Sequence, residues 1–281
     1  MRLATIRLRG SEEAALILPE GALPLDATNA GWFTDLFSLL ESGRFYELQE
    51  KCLNDRFEGF SEQVIPFGRI EYGPLYRRPR KIWGIGLNYV EHAGDLEEVA
   101  PSEEPASFMR PDTTIIGHGE EIRLPGQSGR VTGEAELGII IGREARNVTE
   151  EEAPSVVAGF TTILDMTAED ILRKNPRYLT RAKSFDTFFS FGPQLVTPDE
   201  VGEIEGLEVS TVLNGELRRT NSVSNMTFSP WSLVAFHSEV MTLLPGDIIS
   251  TGTPGAVVLQ DGDSLGCRIP GLEPLYNPVR G

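Results

Sequence analysis

After residue 81, short apolar runs broken by glycine and proline dominate the chain. Seven runs rich in β-branched residues predict strands, namely IWGIGL, TTIIGH, LGIIIG, GFTTIL, GPQLV, LEVSTVL and GDIIST. The dipeptide Asn214-Gly215 indicates a type I′ hairpin. Two helices interrupt the strands, one at a capping box of Thr149 with Glu152 and one at Ser229-Pro230. The pattern predicts a mixed, β-rich α+β fold and argues against a repeating βαβ nucleotide-binding sheet.

The beginning of the chain has a different pattern and no cluster of chemically active residues. Alternating or continuous apolar positions predict two strands followed by two short helices. These elements are placed at Met1–Gly10, Ala14–Leu18, Gly31–Leu40 and Gly43–Leu53. We therefore predict a small N-terminal α+β domain over residues 1–75 and a catalytic domain over residues 76–281.

The composition is that of an ordinary globular protein, with 281 residues of which 40% are hydrophobic and 24% charged. The formal net charge of −17 argues against binding to nucleic acid or to anionic membranes. Cys52 and Cys267 form no C-x-x-C motif and are too few for a disulfide framework, which favours a reducing compartment. We find no signal peptide and no stretch near the ~18 apolar residues that span a bilayer. We therefore expect a soluble, cytoplasmic protein.

Three carboxylates form the main candidate for chemistry. Glu134 and Glu136 lie in VTGEAELGIIIG, and Asp165 ends the apolar run of GFTTILDMT. Alternate residues of a strand share a face, so the two glutamates stand side by side while the apolar residues from Leu137 face the core. A hard cation such as Mg²⁺, Mn²⁺ or Ca²⁺ would neutralise their mutual repulsion. From spacing alone, a solvated strand edge with an unrelated aspartate is an equal alternative.

Six blocks of sequence resemble the fumarylacetoacetate hydrolase family. They are GIGLNYVEHAGD, GEAELGIIIG, AGFTTILDMTAED, AKSFDTFFSFGP, NGE and GDIISTGTP. The blocks occur in the family's order, and the resemblance extends over essentially the whole chain after Lys81. The resemblance implies a rolled, barrel-like β-sheet with the active site at its mouth, and commonly a homodimer. It also implies that Glu134, Glu136 and Asp165 bind Mg²⁺ or Mn²⁺, with Ca²⁺ as an alternative ion in crystals.

Three further residues are candidates for catalysis, and a fourth for substrate binding. His92 precedes Asp95 by three residues, so on a helical turn the carboxylate can orient the imidazole as a general base. The family typically has Glu where this chain has Asp95. Lys183 matches a family lysine that faces the metal, and its charge would offset the net −1 of three carboxylates with one M²⁺. Thr253 in TGTP sits in a turn whose hydroxyl and N–H groups suit a carboxylate.

The chain departs from the family pattern after the aspartate at position 165. The family usually has an arginine four residues later and a glutamine seven residues later, and both help to hold the substrate. This chain has Glu169 and Leu172 instead. Glu169 either turns outward to pair with Arg173 or binds a different substrate group. Arg173, Arg177 or Arg181 could restore the missing positive charge.

The resemblance implies a metal-dependent hydrolase that cleaves a C–C bond in a small 2-oxo acid or 1,3-dicarbonyl compound, such as an acylpyruvate or fumarylpyruvate. His92, oriented by Asp95, would activate water, and Lys183 would stabilise the oxyanion. The same enolate-stabilising site serves decarboxylation of oxaloacetate-type acids and isomerisation or hydration of unsaturated 2-oxo acids in aromatic or sugar-acid catabolism. A catalytically silent metal- or metabolite-binding protein is the alternative from another class.

Overall fold

The structure is a computed structural model that describes residues 1–28, 30–54, 57–90 and 101–281. We number its strands and α-helices in chain order. The strands are β1 (Arg2–Leu8), β2 (Ser11–Leu18), β3 (Gly21–Pro24), β4 (Ile65–Pro66), β5 (Ile82–Gly86), β6 (Ala106–Met109), β7 (Ile115–Ile116), β8 (Ile122–Arg123), β9 (Val131–Ile141), β10 (Val157–Ala168), β11 (Phe189–Val196), β12 (Glu208–Leu213), β13 (Glu216–Ser222), β14 (Ile248–Ser250), β15 (Ala256–Val258), β16 (Ser264–Arg268) and β17 (Leu275–Arg280). The helices are α1 (Leu36–Glu41), α2 (Arg44–Asn54), α3 (Ala153–Val156), α4 (Glu169–Lys174), α5 (Leu179–Lys183), α6 (Pro198–Val201) and α7 (Pro230–Val240). Short 3₁₀ helices lie at Leu25–Thr28, Glu58–Gln63, Phe67–Arg69, Asp112–Thr114, Pro176–Tyr178, Ile204–Gly206 and Val223–Asn225.

The described strands form two sheets. The larger sheet follows the order β4-β3-β2-β1-β11-β10-β9-β14-β5-β6, with β15 added to β9 and β7 added to β11. The smaller sheet follows the order β13-β12-β16-β17-β8. Strand β1 pairs antiparallel with β11, so the first strands of the chain extend the sheet that the later strands form. The mixed α+β, sheet-rich fold expected from the sequence is confirmed.

Strands β9 and β10 lie at the centre of the molecule and are buried along their whole length. One face of this pair packs in a core shared with the smaller sheet, through residues such as Leu137, Val209 and Leu265. The opposite face packs in a second core, where Ile163 lies with Phe45 of α2. Burial on both faces explains why these strands are nearly continuously apolar in sequence. Charged residues on them must therefore find partners inside the protein.

The local sequence signals match the structure closely. Asn214 and Gly215 have φ values of 56° and 80°, as a type I′ turn requires. Thr149 and Glu152 exchange the two hydrogen bonds of a capping box, at 3.0 and 3.3 Å, although the helix predicted to start at Thr149 begins only at Ala153. Ser229 accepts a hydrogen bond from the Ser232 N–H at the start of α7. The expectation of only two helices after residue 81 was wrong, because α4, α5 and α6 are too short to produce a helical period in the sequence.

None of the helices in the described residues is long and apolar enough to cross a lipid bilayer. The division of the chain at residue 75 stays a prediction.

Candidate metal centre

The register of β9 against β10 brings the three predicted carboxylates together. Glu134 lies directly opposite Asp165, and Glu136 lies opposite Ile163. Residues opposite each other in an antiparallel pair share a face, so all three carboxylates project from the same side. One oxygen from each lies within 4.8 Å of the others, and all three residues are buried. We call Glu134, Glu136 and Asp165 the carboxylate triad.

Neighbouring donors bind one oxygen of each carboxylate in the triad. Glu136 Oε2 accepts hydrogen bonds from the Ser250 hydroxyl and, at 2.9 Å, from the Gly252 N–H. Lys183 Nζ donates to Glu134 Oε2 and to Asp165 Oδ1, both at 2.8 Å. The second oxygen of Asp165, Oδ2, is buried without a hydrogen-bond partner in residues 1–28, 30–54, 57–90 and 101–281. A buried carboxylate oxygen without a donor is costly unless something else binds it.

Arg110, which the sequence analysis missed, is the second cation of this cluster. It follows β6 and is fully buried, and its guanidinium forms an ion pair with Asp165 Oδ1. It also donates to the carbonyl oxygens of Lys183, Met166 and Phe188. Arg110 thereby links β10, α5 and the residue before β11 around the triad. No motif or local spacing in the sequence singles out this arginine.

The cluster holds more acidic than basic side chains. Its three carboxylates face two cations, Lys183 and Arg110. Burial, followed by the charge of Asp165, raises the pKa of Glu136 to about 8. Burial also raises the pKa of Asp165, although Arg110 and Lys183 oppose the shift. Burial alone would lower the pKa of Lys183, but the charges of Asp165 and Glu134 raise it above its ordinary value.

These features fit a hard divalent cation. The donors are all carboxylate oxygens, which suit Mg²⁺, Mn²⁺ or Ca²⁺ better than zinc. Asp165 Oδ2 has no hydrogen-bond partner among the described residues and is a candidate ligand atom, and a divalent ion would compensate for the third carboxylate that the two cations leave unpaired. Because Oδ1 of Asp165 is already taken by Arg110 and Lys183, Oδ2 is the oxygen of this residue that is open to an ion.

The predicted substrate-binding residues Thr253, Arg181 and Glu169 lie in different environments. Thr253 is buried in the turn after β14, next to Gly252, whose N–H holds Glu136. Its hydroxyl exchanges hydrogen bonds with the backbone of Gly255 at 3.2 Å. Arg181 is exposed and donates to Gln127 at 3.3 Å. Thr253 is therefore the neighbour in sequence of a residue that binds the triad.

Glu169 is buried and forms two ion pairs. Its Oε1 accepts from Arg173 at 2.7 Å, the i+4 pairing that the sequence suggested. Its Oε2 accepts from Nε of Arg130, a residue that the sequence analysis did not consider. Local spacing does not pair Arg130 with Glu169, because Arg130 precedes β9 and the two residues meet only across the β9–β10 pair. The predicted catalytic pair His92 and Asp95 lies outside the described residues.

Comparisons with known proteins agree with this architecture. The family model for the fumarylacetoacetate (FAA) hydrolase C-terminal domain matches residues 81–280. A protein of Archaeoglobus fulgidus is 40% identical over 84% of this chain and 92% of its own length. Human mitochondrial oxaloacetate tautomerase FAHD2A is 34% identical over 84% of this chain and 78% of its own length. The crystal structure of maleylpyruvate hydrolase from Sphingobium sp. SYK-6, with manganese and pyruvate, is 27% identical with a TM-score of 0.80, covering 100% of this chain and 99% of that one. The chain therefore belongs to the fumarylacetoacetate hydrolase family.

Proposed function

We propose that this protein is a divalent-metal-dependent enzyme that stabilises the enolate of a small 2-oxo acid. The observation that carries the proposal is the buried triad, which has one acidic group more than its two cations can pair, together with Oδ2 of Asp165, which has no hydrogen-bond partner in the part of the chain that the structure describes. The triad would hold Mg²⁺ or Mn²⁺. Such an ion supplies a Lewis acid that lowers the cost of negative charge on the oxygens of a bound 2-oxo acid.

Lys183 supplies a fixed positive charge beside the ion site. Its raised pKa keeps the ammonium protonated at neutral pH, and two of its donors are fixed on Glu134 and Asp165. An ammonium has three donors, so one remains for a substrate oxygen that becomes negative as the enolate forms. Arg110 binds the backbone carbonyl of Lys183 and thereby fixes the position of its Cα.

Among the reactions that pass through this enolate, keto–enol tautomerisation of an oxaloacetate-like acid is the first candidate. It needs proton transfer at the carbon beside the oxo group and breaks no carbon–carbon bond. The 34% identity with human oxaloacetate tautomerase FAHD2A, across 84% of the chain, supports this choice.

Hydrolytic C–C cleavage of an acylpyruvate is the second candidate. The full-length similarity to maleylpyruvate hydrolase supports it. It needs one further group, a base that takes a proton from water, and the predicted pair of His92 and Asp95 would fill that role. The homodimer and the cytoplasmic location stay predictions.

Exchange of the C3 protons of pyruvate and oxaloacetate for deuterium tests the common step. We expect the protein with Mg²⁺ to accelerate exchange, measured by proton NMR in heavy water, far above Mg²⁺ alone. Lys183→Met should lower the rate by about 10²–10³-fold, as loss of a transition-state donor does. Lys174→Met is the matched control, because Lys174 is exposed on α4 and should have no effect.

Absence of protein-dependent exchange, with Mg²⁺ binding intact, would overturn the proposal and favour a catalytically silent metal-binding protein. If exchange occurs, the products divide the candidates. A tautomerase returns the same carbon skeleton, whereas a hydrolase converts an acylpyruvate into two acids.

A further inference from the structure

We propose that Asn88 is a positioning residue of the triad, because its side chain fixes the peptide group that donates a hydrogen bond to Glu136. This inference rests on the proposed function and adds to it a residue that controls metal affinity from outside the triad. Asn88 lies two residues after the end of β5.

The turns that follow β5 and β14 lie side by side. The two strands pair in parallel, with Gly84 opposite Ser250, so both turns leave the sheet at the same edge. Each turn contains a residue with positive φ, Leu87 at 57° and Gly252 at 97°. A Cβ on Gly252 would lie only 2.8 Å from the Cβ of Asn88. A glycine at this position therefore allows the two turns to approach each other closely.

The side chain of Asn88 links these turns to the start of α7. Asn88 is 1% exposed, and its Nδ2 donates to the carbonyl oxygens of Thr251 at 2.8 Å and Phe228 at 3.0 Å. Its Oδ1 accepts from the Phe228 N–H at 2.8 Å. Both hydrogens of the amide and its oxygen are thus used, which fixes the orientation of the side chain.

The bond from Asn88 to Thr251 acts on Glu136 through a single peptide group. Thr251 C=O and Gly252 N–H belong to the same planar unit and point in opposite directions. The carbonyl accepts from Asn88, and the N–H donates to Glu136 Oε2 at 2.9 Å. Because Gly252 has no Cβ, this peptide group could rotate and turn its carbonyl oxygen toward the carboxylate. The bond to Asn88 opposes that rotation, and it also polarises the peptide group so that the N–H becomes a stronger donor.

The orientation of Glu136 depends on this N–H. Its Oε2 accepts from the Gly252 N–H and from the Ser250 hydroxyl, so two donors hold the carboxylate in one orientation. Loss of one donor would free the carboxylate to rotate. Hydrogen bonds that orient metal ligands are typically worth about 10–100-fold in metal affinity. Because Asn88 acts one bond further from the ion, we expect an effect near the lower limit, about tenfold.

Metal binding by two asparagine variants tests the inference without any turnover. Calorimetry should show that Asn88→Leu binds Mn²⁺ about tenfold more weakly than the wild-type protein. Asn277→Leu is the matched control, because Asn277 is also buried and donates to two carbonyls, those of Gly117 and Glu120. Its amide oxygen accepts from the Ser190 hydroxyl. We expect Asn277→Leu to lose stability in urea as Asn88→Leu does, but to keep the wild-type affinity for Mn²⁺.

Hydrogen exchange gives a second measurement on the metal-free protein. The Gly252 N–H should exchange faster in Asn88→Leu than in the wild-type protein, and Asn277→Leu should leave its rate unchanged. Asn88→Ser replaces Asn88→Leu if the latter does not fold, because a hydroxyl has one hydrogen and cannot donate to both carbonyls.

The outcomes separate this inference from the proposed function. If the wild-type protein binds Mn²⁺ and the Asn88 variant binds it equally well, the positioning role is overturned and the proposed function stands. An equal loss of affinity in Asn277→Leu would also overturn it, because the effect would then follow from stability alone. If the wild-type protein does not bind Mn²⁺, the proposed function fails and the role of Asn88 fails with it.

Discussion

Two of the clusters of acidic and basic side chains in the described residues differ in their balance of charge. One is the triad with Lys183 and Arg110 in the core. The other is a network near the surface, in which Arg7 and Arg77 pair with Glu12 and Glu120. The surface network is neutral, with two charges of each sign, and its side chains are between 24% and 43% exposed. The buried cluster has one more acid than base.

The pKa values of one glutamate from each cluster shift in opposite directions. Burial alone would raise the pKa of Glu120, but the N–H of Gly117 and the charge of Arg77 bring it below its ordinary value. The pKa of Glu136 rises to about 8, because burial and the charge of Asp165 outweigh its donors. In the balanced network the acidic and basic groups pair with one another and join two parts of the chain. In the unbalanced buried cluster one acidic group is left over, which favours the binding of a cation.

Removal of one arginine from each cluster should give the largest difference between the clusters, measured as the loss in free energy of unfolding. In metal-free protein, Arg110→Met leaves Asp165 short of a buried cation and should lower the free energy of unfolding by about 3–5 kcal/mol. Arg77→Met should cost at most about 1 kcal/mol, because its ion pairs are partly solvated. Urea unfolding in the presence of a chelator measures both values. Equal losses would show that burial does not distinguish the two clusters.

Divalent metal should stabilise the protein through the buried cluster alone. At a concentration of 100 times its Kd, Mg²⁺ or Mn²⁺ adds about 2.7 kcal/mol to the free energy of unfolding and raises Tm. Glu136→Ala should abolish this shift in Tm, because it removes a ligand. Glu120→Ala should retain it. A shift of the same size in Glu136→Ala and in the wild-type protein would disprove the metal assignment.

The smallest effect is a pH dependence of the surface network. Because the pKa of Glu120 is lower in the folded protein than its ordinary value of 4.5, its ion pairs stabilise the fold above that pH and are lost as the pH falls through the folded value. The difference in unfolding free energy between wild type and Glu120→Gln should therefore be about 1 kcal/mol or less at pH 7. It should disappear in acid. A difference that stays constant to pH 3 would contradict this origin.

Spacing within one strand made the triad predictable in part. The alternation of Glu134 and Glu136 placed them on one face, and Asp165 was a third candidate at the end of another apolar run. The family resemblance implied that all three bind a metal, and the register of β9 and β10 sets Asp165 opposite Glu134. Arg110 was beyond prediction, because it reaches Asp165 from a segment 55 residues earlier in the chain. Such a contact depends on which strands become neighbours, and local patterns do not encode that.

Glu169 shows how a single substitution misleads when it is considered alone. Its negative charge looked unfavourable beside the predicted metal ligand Asp165, and Arg173 at i+4 offered the obvious partner. The second partner, Arg130, lies just before the neighbouring strand β9 and 39 residues earlier in the chain. Register between β9 and β10 was needed to find it, because the two residues are neighbours only across the ladder.

The pairing of β1 with β11 covers part of one edge of β11. Strand β11 is buried throughout, and β1 covers its outer edge from Gln194 to Val196. A chain shortened to residues 76–281 would keep the whole triad but expose this edge, with unpaired N–H and C=O groups beside apolar side chains. Such edges recruit strands from other molecules. Loss of the hairpin formed by β1 and β2 should therefore cause aggregation through the exposed edge of β11, even where the triad itself is intact.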